Sequence, residues 1–233
     1  MAIANRLKFY YKKLSLYSRP VWIALLEKQL VFEPIDLSLN GDQWQSEFLT
    51  INPFGRVPVL LDDDFSIFES LAILDYLELK YPTSALVPTD IKKATIVRMT
   101  QILTMHELIP AMLTILRAND SSQSVIERTE RQIMAMLCFL EQHLANYLYF
   151  AGDRITYAEI IAGSVIWWLP HINIDLSDYP KVELWSNTLM QRRVWQVTQP
   201  DAKDIQDWLK RVRILPKVRE RQWKPKKAAE WQT

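Results

Sequence analysis

Residues 51–70 read Ile-Asn-Pro-Phe-Gly-Arg-Val-Pro-Val-Leu-Leu-Asp-Asp-Asp-Phe-Ser-Ile-Phe-Glu-Ser, and this stretch decides the fold of the first half of the chain. The run from Val57 to Leu61 is typical of a β-strand. A proline has no N–H to donate to a sheet, so Pro58 is expected in an edge strand or at the first residue of the strand. The backbone N–H and C=O of Val57 are then expected to be free to pair with an extended ligand. Three consecutive aspartates indicate a turn, and residues 65–68 predict a second short strand.

A helix is predicted to begin at Ser70, directly after this second strand. Apolar residues follow it at helical spacing, at Leu71, Ile73, Leu74 and Leu77. The start of a helix carries unpaired N–H groups and a partial positive charge, which favour a bound carboxylate. Together with the free Val57 peptide, this helix start suits a small peptide that bears a free carboxylate. The alternative interpretation is a β-hairpin followed by a capped helix that has only a structural role.

The segments before this stretch complete an α/β domain, which we place at residues 1–82. Strands are predicted at residues 7–11 and 31–37, and helices at residues 17–29 and 43–49. The order of elements is therefore βαβαββα. Its opening βαβ unit implies parallel strands joined by a right-handed crossover. This is the thioredoxin-like layout, and the Tyr81-Pro82 pair is expected to end its last helix.

The second half of the chain is predicted to be all-α. We place a linker at residues 83–88, an all-helical domain at residues 89–211 and a basic C-terminal extension at residues 212–233. The first long helix contains Pro110, and a proline inside a helix kinks or breaks it. The basic extension is expected to be packed or solvated, and an electrostatic contact for an acidic partner is the alternative.

Two capping boxes are predicted to start helices of this domain, one at Ser124–Glu127 and one at Thr156–Glu159. The helix from Ser124 is expected to run to residue 149. Its buried stripe is predicted to consist of Ile133, Leu137, Leu140, Leu144 and Leu148. Residues 160–169 are apolar on all sides, which predicts the buried central helix of the domain.

The composition bounds the function. Apolar residues make up 49% of the chain and charged residues 24%, and the net charge of +1 implies no general attraction to nucleic acid or to a membrane. The chain starts without the apolar core of a signal peptide, so we expect a cytoplasmic protein. The three histidines lack metal-ligand spacing, which predicts no metal site. The single cysteine, Cys138, excludes an internal disulfide, and its apolar neighbours predict a buried, inert thiol.

The motif Val57-Pro58-Val59-Leu60, with Asn52-Pro53 before it and Glu69-Ser70 after it, resembles the glutathione-binding half of the glutathione S-transferases. The resemblance spans residues 6–200, and within the family the chain is most similar to the theta-type, serine-using enzymes. It implies the glutathione transferase architecture, a thioredoxin-like domain followed by an all-helical domain. It also implies glutathione as co-substrate, a homodimer, and a cis peptide bond before Pro58 at the glutathione site.

The resemblance places the catalytic hydroxyl at Ser15, in the loop after the first strand. A free alkyl thiol has a pKa of about 8.5–9, so only a small fraction is thiolate at neutral pH. Lowering that pKa by about two units takes about 2.7 kcal/mol, and one hydrogen bond to a charged group supplies roughly 1.5–3 kcal/mol. One hydroxyl is therefore sufficient without a general base. Tyr17 and Ser18 are the alternative donors, and a plain capping role for Ser15 stays open.

The remaining glutathione contacts are also implied by the resemblance. Val57 pairs its backbone with the cysteinyl unit, Glu69 meets the ammonium group, and Ser70 meets the carboxylate of the γ-glutamyl end. Arg56 reaches the glycyl carboxylate. Gln43 stands where the theta-type pattern has a histidine, and it keeps hydrogen-bonding capacity without the charge.

The predicted function is a detoxification reaction, in which the glutathione thiolate is conjugated to a hydrophobic electrophile held by the helical domain. No cysteine lies near Ser15, which argues against thiol transfer and dehydroascorbate reduction. The Ser-Ser-Cys run of the maleylacetoacetate isomerases is also absent. Two alternatives stay open: a non-catalytic glutathione- or protein-binding module of the same fold, and a glutathione-dependent isomerase or peroxidase. No metal or redox cofactor is implied.

Overall fold

The computed structural model describes residues 7–117, 122–144 and 147–222, with side chains described up to residue 212. The N-terminal domain has the predicted element order βαβαββα. Its elements are β1 (Leu7–Tyr11), α1 (Ser18–Glu27), β2 (Phe32–Asp36), α2 (Ser46–Ile51), β3 (Val59–Asp62), β4 (Phe65–Phe68) and α3 (Ser70–Lys80). The short helix predicted from Gln43 begins later, at Ser46, because a separate 3₁₀ turn at Asp42–Trp44 precedes it.

The strands form one sheet in the order β2-β1-β3-β4. The pair β1 and β2 is parallel, as predicted, and β3 is antiparallel to both β1 and β4. Because β3 is interior, Pro58 cannot lie in an edge strand, and it precedes the first residue of β3, Val59. No hydrogen bond of the sheet is lost at this position. The peptide bond between Val57 and Pro58 is cis, as the resemblance implied.

The C-terminal domain is helical. Its helices are α4 (Ile91–Leu103), α5 (Ile109–Leu116), α6 (Gln123–His143), α7 (Ser164–Ile166), α8 (Pro180–Met190), α9 (Arg193–Thr198) and α10 (Ala202–Gln222). The last of these runs past residue 211, so the predicted start of the basic extension falls inside a helix. The rest of that extension, residues 223–233, lies outside the described residues.

Near Pro110 the first long helix widens locally into a π-helical turn. A π-helical turn at Thr104–Leu108 joins α4 to α5, and Pro110 lies in the first turn of α5. Because a proline cannot donate to the preceding turn, the helix widens there instead of breaking. The combined helix from Ile91 to Leu116 is long and apolar enough to cross a membrane by length and composition alone, but half of its most apolar stretch is buried inside the protein.

The helix α6 differs from its prediction at both ends. It begins at Gln123, whose Nε2 donates to Glu127 Oε1 at 3.2 Å, so the capping box predicted at Ser124 does not form. It ends at His143, well before residue 149. Leu148 therefore lies beyond the helix and is 56% exposed, whereas the other four members of the predicted stripe are buried.

The prediction of a buried thiol at Cys138 is wrong, because this residue is exposed. A helix turns by 3.6 residues per turn, so Leu137 faces the core while the next residue faces outward. Met134, four residues earlier on the same side, is 53% exposed. The apolar neighbours of Cys138 in sequence therefore do not enclose it.

The second capping box forms as predicted. Glu159 Oε2 accepts a hydrogen bond from Thr156 N at 2.7 Å, and Thr156 Oγ1 accepts one from Ala158 N at 3.1 Å. A π-helical turn at Glu159–Gly163 follows and leads into α7. The residues from 160 to 166 are buried, which confirms the predicted central helix.

Polar contacts fix α1 against the rest of the molecule. Buried Lys28, just after α1, donates to Tyr81 O and Ser84 O, both at 2.9 Å, in the segment after α3. Arg192, between α8 and α9, forms a two-pronged ion pair with Glu27 at 2.9 and 3.0 Å. Because α1 is held by both the linker and the helical domain, the turn in front of it has a defined position.

Candidate functional site

Ser15 lies partly exposed in the turn between β1 and α1. Its Oγ accepts hydrogen bonds from Tyr17 N at 3.3 Å and from Ser18 N at 3.2 Å. These bonds cap α1, which is the structural role considered for this serine. A hydroxyl accepts through two lone pairs and donates one hydrogen, so the hydrogen remains available to a ligand. Accepted bonds polarise the hydroxyl and strengthen it as a donor.

The two alternative hydroxyls differ in accessibility. Ser18 is fully buried, and its Oγ accepts from Lys12 N at 3.5 Å, so it is not accessible to a ligand. Tyr17 is 37% exposed. Burial raises the pKa of the Tyr17 phenol above its ordinary value, and the charges of Arg56 and Arg117 partly oppose this. The phenol is therefore a proton donor at neutral pH and the accessible alternative.

The loop before β3 offers the free peptide group that the sequence predicted. Neither the N–H nor the C=O of Val57 has a hydrogen-bond partner among the described residues. Asn52, which is 2% exposed, holds this loop in place. Its Nδ2 donates to Arg56 O at 2.7 Å, and its Oδ1 accepts from Phe54 N at 3.0 Å. Asn52 entered the sequence analysis only as part of a motif, so its bracing role is a finding of the structure.

The start of α3 lies beside the Ser15 turn, because Ser70 Oγ donates to Tyr17 O at 2.9 Å. Ser70 is 5% exposed and its hydroxyl hydrogen is used in this bond, so the first N–H groups of α3 are what the helix offers to a carboxylate. They have no side-chain cap. Glu69, directly before them, is exposed and has a φ of +70°, a rare conformation for a residue other than glycine.

Gln43 and Arg56 occupy different environments. Gln43 is 7% exposed, and its Oε1 accepts from Gly41 N at 3.0 Å, so this oxygen braces its own loop. Arg56 is exposed, and no carboxylate in the described part of the chain pairs with it. It lies within electrostatic reach of the Tyr17 phenol, as does Glu69. Arg56 and Glu69 thus lie near the Tyr17 phenol, and we name the region between the Ser15 turn, the Val57 loop and the start of α3 the cleft.

Arg19, which the sequence analysis did not consider, anchors the first turn of α1. It is 3% exposed, and its guanidinium carbon lies 5.3 Å from the centre of the Trp167 ring and 5.6 Å from that of Trp195. Burial lowers the pKa of this guanidinium to about 9. Contacts of a cation with aromatic faces are attractive when water is excluded, so Arg19 holds the Ser15 turn against the helical domain.

Arg117, also not predicted, approaches the cleft from the helical domain. It directly follows α5, and its Nε donates to Val212 O of α10 at 3.2 Å. The Tyr17 phenol lies within electrostatic reach of it. Nothing in the sequence marked this residue, because its position depends on how α5, α10 and α1 meet.

The cleft thus combines a hydroxyl donor, a free peptide group, an uncapped helix start and cationic side chains. No group of three or more metal-ligating side chains comes together within the described residues. This arrangement suits a small peptide that carries a thiol and carboxylates. The thioredoxin-like domain followed by an all-helical domain defines the structural class of the protein.

The family within this class follows from comparison with known proteins. Residues 9–85 match the model of the glutathione S-transferase N-terminal domain, and residues 103–193 match that of the C-terminal domain. The chain belongs to the glutathione S-transferase family.

The similar proteins include both glutathione S-transferases and maleylacetoacetate isomerases. The chain is 32% identical over 210 residues to glutathione S-transferase Z1 of Arabidopsis thaliana, covering 85% of this chain and 95% of the relative. It is 30% identical over 185 residues to mouse maleylacetoacetate isomerase, and the match covers 77% of this chain and 86% of the relative. A solved glutathione S-transferase of Methylobacterium radiotolerans, in complex with glutathione sulfonate, is 30% identical with a TM-score of 0.73. The match covers 84% of this chain and 96% of the relative.

These relatives support the family without supporting the predicted theta-type subclass. Zeta-class transferases and maleylacetoacetate isomerases are prominent among them. The missing Ser-Ser-Cys run therefore does not separate the chain from isomerase relatives as strongly as the sequence analysis assumed.

Proposed function

We propose that the chain binds glutathione, that the Ser15 hydroxyl stabilises its thiolate, and that this thiolate attacks an electrophilic carbon of a small molecule. A carbon–sulfur bond forms, the leaving group departs with its electron pair, and the thiol proton passes to solvent. The acceleration comes from holding the two reactants together and from stabilising the anion before the attack.

The observation that carries this proposal is the geometry of Ser15 Oγ. Its acceptor capacity is used by Tyr17 N and Ser18 N, and its hydrogen is left for a thiolate. The oxygen also sits at the start of α1, where the helix dipole favours a negative charge. The glutathione sulfonate bound to the Methylobacterium relative supports glutathione as the ligand.

The other glutathione contacts belong to the same proposal. The Val57 peptide pairs with the cysteinyl unit, and the start of α3 binds the γ-glutamyl carboxylate through its N–H groups. Glu69 receives the ammonium group. Arg56 reaches the glycyl carboxylate. Gln43 contributes by bracing its loop, since its Oε1 bonds to Gly41 N.

Titration of bound glutathione tests the proposal. We expect Ser15→Ala to raise the pKa of the bound thiol by at least about one unit and to lower kcat/KM at neutral pH by about 10-fold to 100-fold, because it removes one bond to a charged group. Ultraviolet absorption of the thiolate measures the pKa, and calorimetry measures glutathione affinity, which we expect to be retained. Ser15→Thr keeps the hydroxyl, and Ser84→Ala is a matched control at an exposed serine.

The titration also distinguishes the alternative donor. If Ser15→Ala leaves the thiol pKa unchanged while Tyr17→Phe raises it, the role belongs to Tyr17 and the proposal for Ser15 is wrong. Because Ser15 caps α1, its replacement is also expected to lower the free energy of unfolding by about 1 kcal/mol. Activity is therefore compared at temperatures where both proteins are fully folded, as circular dichroism shows.

A glutathione-dependent isomerase is the second candidate, favoured by the similarity to mouse maleylacetoacetate isomerase. In an isomerisation the thiolate adds to the substrate and is then expelled, so glutathione is regenerated. Conjugation consumes glutathione in proportion to product. The amount of glutathione consumed per product formed is measured over many turnovers, with cis-enediones and with aryl or alkyl halides as substrates. Consumption equal to product indicates conjugation, and no net consumption indicates isomerisation.

A non-catalytic binding module is the remaining alternative. It predicts that glutathione binds with its thiol pKa unaltered and that no halide, isothiocyanate, epoxide, peroxide or enedione reacts. The partly exposed Ser15 hydroxyl favours the enzyme, because a module needs no polarised donor at the thiol. Normal glutathione binding combined with an unshifted thiol titration would establish the module.

We also propose that the protein is a homodimer. Met99 and Ile102 are 39% and 42% exposed, and their spacing places them on one face of α4. Phe65 of β4 is 57% exposed. Light scattering coupled to size-exclusion chromatography tests this, and a monomeric mass at micromolar concentration would disprove it.

A further inference from the structure

Arg117 is a partly buried cation that pairs with no acidic side chain in the described part of the chain. Its Nε donates to Val212 O at 3.2 Å, and no carboxylate among the described residues pairs with its guanidinium. Burial lowers the pKa of Arg117 below its ordinary value, and the neighbouring Tyr17 phenol acts in the opposite direction. A guanidinium that has lost part of its water without gaining a counter-charge is a favourable site for a bound anion.

Contacts of α10 hold Arg117 in this position. Val212 O orients its Nε, and α10 itself is bound to the N-terminal domain at two points. Arg211 Nη2 donates to Leu39 O at 2.6 Å, and Asp204 forms an ion pair with Lys13 at 2.7 Å. Because Lys13 and Leu39 belong to loops of the N-terminal domain, these contacts set Arg117 against the cleft.

The two sides of the cleft carry different cations. Arg56 precedes the Val57 peptide and lies on the side proposed for glutathione. Arg117 belongs to the helical domain, which in the proposed function holds the electrophile. The Tyr17 phenol lies within electrostatic reach of both arginines and marks the boundary between the two sides. One cation is therefore available to glutathione and a second to its reaction partner.

We propose that Arg117, together with the Tyr17 hydroxyl, binds a carboxylate of the second substrate, so that the electrophile is an organic acid. This rests on the proposed function. With Nε bonded to Val212 O, the terminal N–H groups of the guanidinium remain for a paired contact with two carboxylate oxygens. The Tyr17 phenol, within electrostatic reach of Arg117, adds a neutral donor. The pair selects among electrophiles and leaves the sulfur chemistry to Ser15.

Binding of product-like ligands tests this without turnover. The probes are glutathione, S-(para-carboxybenzyl)glutathione and its uncharged relative S-(para-carbamoylbenzyl)glutathione, measured by calorimetry. We expect the wild-type protein to bind the carboxylate conjugate at least about tenfold more tightly than the carboxamide conjugate, as expected for a bond between charged groups. Arg117→Met is expected to abolish this preference, and Arg117→Lys to keep part of it.

The matched control is Arg98→Met, which removes an exposed arginine that pairs with Asp75 on α3. It is expected to keep the full preference for the carboxylate conjugate. Equal binding of the two conjugates by wild-type protein overturns the assignment, while glutathione binding leaves the proposed function intact. Weaker binding of glutathione itself to Arg117→Met also overturns it, because Arg117 would then serve the tripeptide. Failure of wild-type protein to bind glutathione refutes the proposed function and this assignment with it.

Discussion

Glu159 gives a quantitative prediction, because this carboxylate is completely buried. Its Oε1 accepts from Phe150 N at 2.8 Å, and its Oε2 accepts from Thr156 N at 2.7 Å and from Thr156 Oγ1 at 2.5 Å. Burial raises the pKa of Glu159 from its usual 4.5 to about 7, although these hydrogen bonds lower it. The perturbation is Glu159→Gln, which keeps the size of the side chain and removes its titration.

The sign follows from proton binding. Between pH 4.5 and about 7 the folded protein holds the Glu159 proton more tightly than the unfolded chain does. Raising the pH through this range therefore lowers the free energy of unfolding of the wild-type protein. At about 1.4 kcal/mol per pH unit, the contribution lost by pH 7 is about 3 kcal/mol. The amide that replaces the carboxyl group cannot titrate, so the variant lacks this loss.

Urea unfolding at a series of pH values from 5 to 8 measures the difference between the two proteins, at one fixed protein concentration. Effects of other titrating groups cancel in the difference. An amide has one acceptor oxygen, so Glu159→Gln leaves the Phe150 or the Thr156 N–H unpaired and costs about 1–3 kcal/mol. We expect the variant to be clearly less stable at pH 5 and to approach the wild type near pH 7. A difference that stays constant, or that grows with pH, would refute the assignment of a raised pKa.

Three further predictions concern stability and reactivity. Gly163→Ala is expected to cost about 1–3 kcal/mol of unfolding free energy in urea, because its Cβ would lie 2.5 Å from Leu189 Cδ1 and 2.8 Å from the Trp195 ring; wild-type stability would contradict it. Lys28→Met is expected to lower the free energy of unfolding by about 3–5 kcal/mol, because it removes the buried ammonium group that binds two carbonyls and the Glu78 carboxylate. An unchanged urea midpoint would show that these contacts do not stabilise the fold. Exposed Cys138 is expected to react with a disulfide reagent in the native protein as fast as in urea, whereas a protected thiol would restore the sequence-based prediction.

The N-terminal domain was predicted well because its signals are local. The run after Val57, the aspartate turn and the apolar spacing after Ser70 each depend on a few neighbouring residues. The helix α3 and the strand β4 begin where these signals place them, whereas β3 begins at Val59, two residues later than predicted. The capping box at Thr156 was predicted for the same reason. Its partner Glu159 lies three residues away, so one helical turn brings the two together.

Predictions failed where the outcome depends on which face of a helix the rest of the protein covers. The apolar neighbours of Cys138 suggested burial, yet one step around α6 separates it from buried Leu137. Leu148 fitted the periodic stripe, but the helix ends at His143. The spacing of apolar residues does not show where a helix stops, so the last member of a stripe is its least secure one.

The residues of the candidate site show the same difference between local signals and tertiary contacts. Ser15, Val57 and Ser70 are marked by motifs because each lies close to the start of a helix or a strand. Arg19 and Arg117 are unmarked, since each acquires its role only through a contact with the helical domain or α10. The residues proposed to bind glutathione can therefore be nominated from local motifs, whereas Arg19 and Arg117 cannot.

In the proposed function, the Ser15 oxygen would serve both the fold and the chemistry. The N–H groups of residues 17 and 18 need an acceptor when α1 begins, and Oγ supplies it. This bonding fixes the oxygen and leaves one hydrogen, which can point only away from the helix start. Arg19 then holds the same turn against Trp167 and Trp195, so the donor keeps its direction when a ligand arrives. A thiolate bound there, as we propose, would meet a hydroxyl that needs no reorganisation, and a preorganised donor stabilises a charge more than a mobile one does.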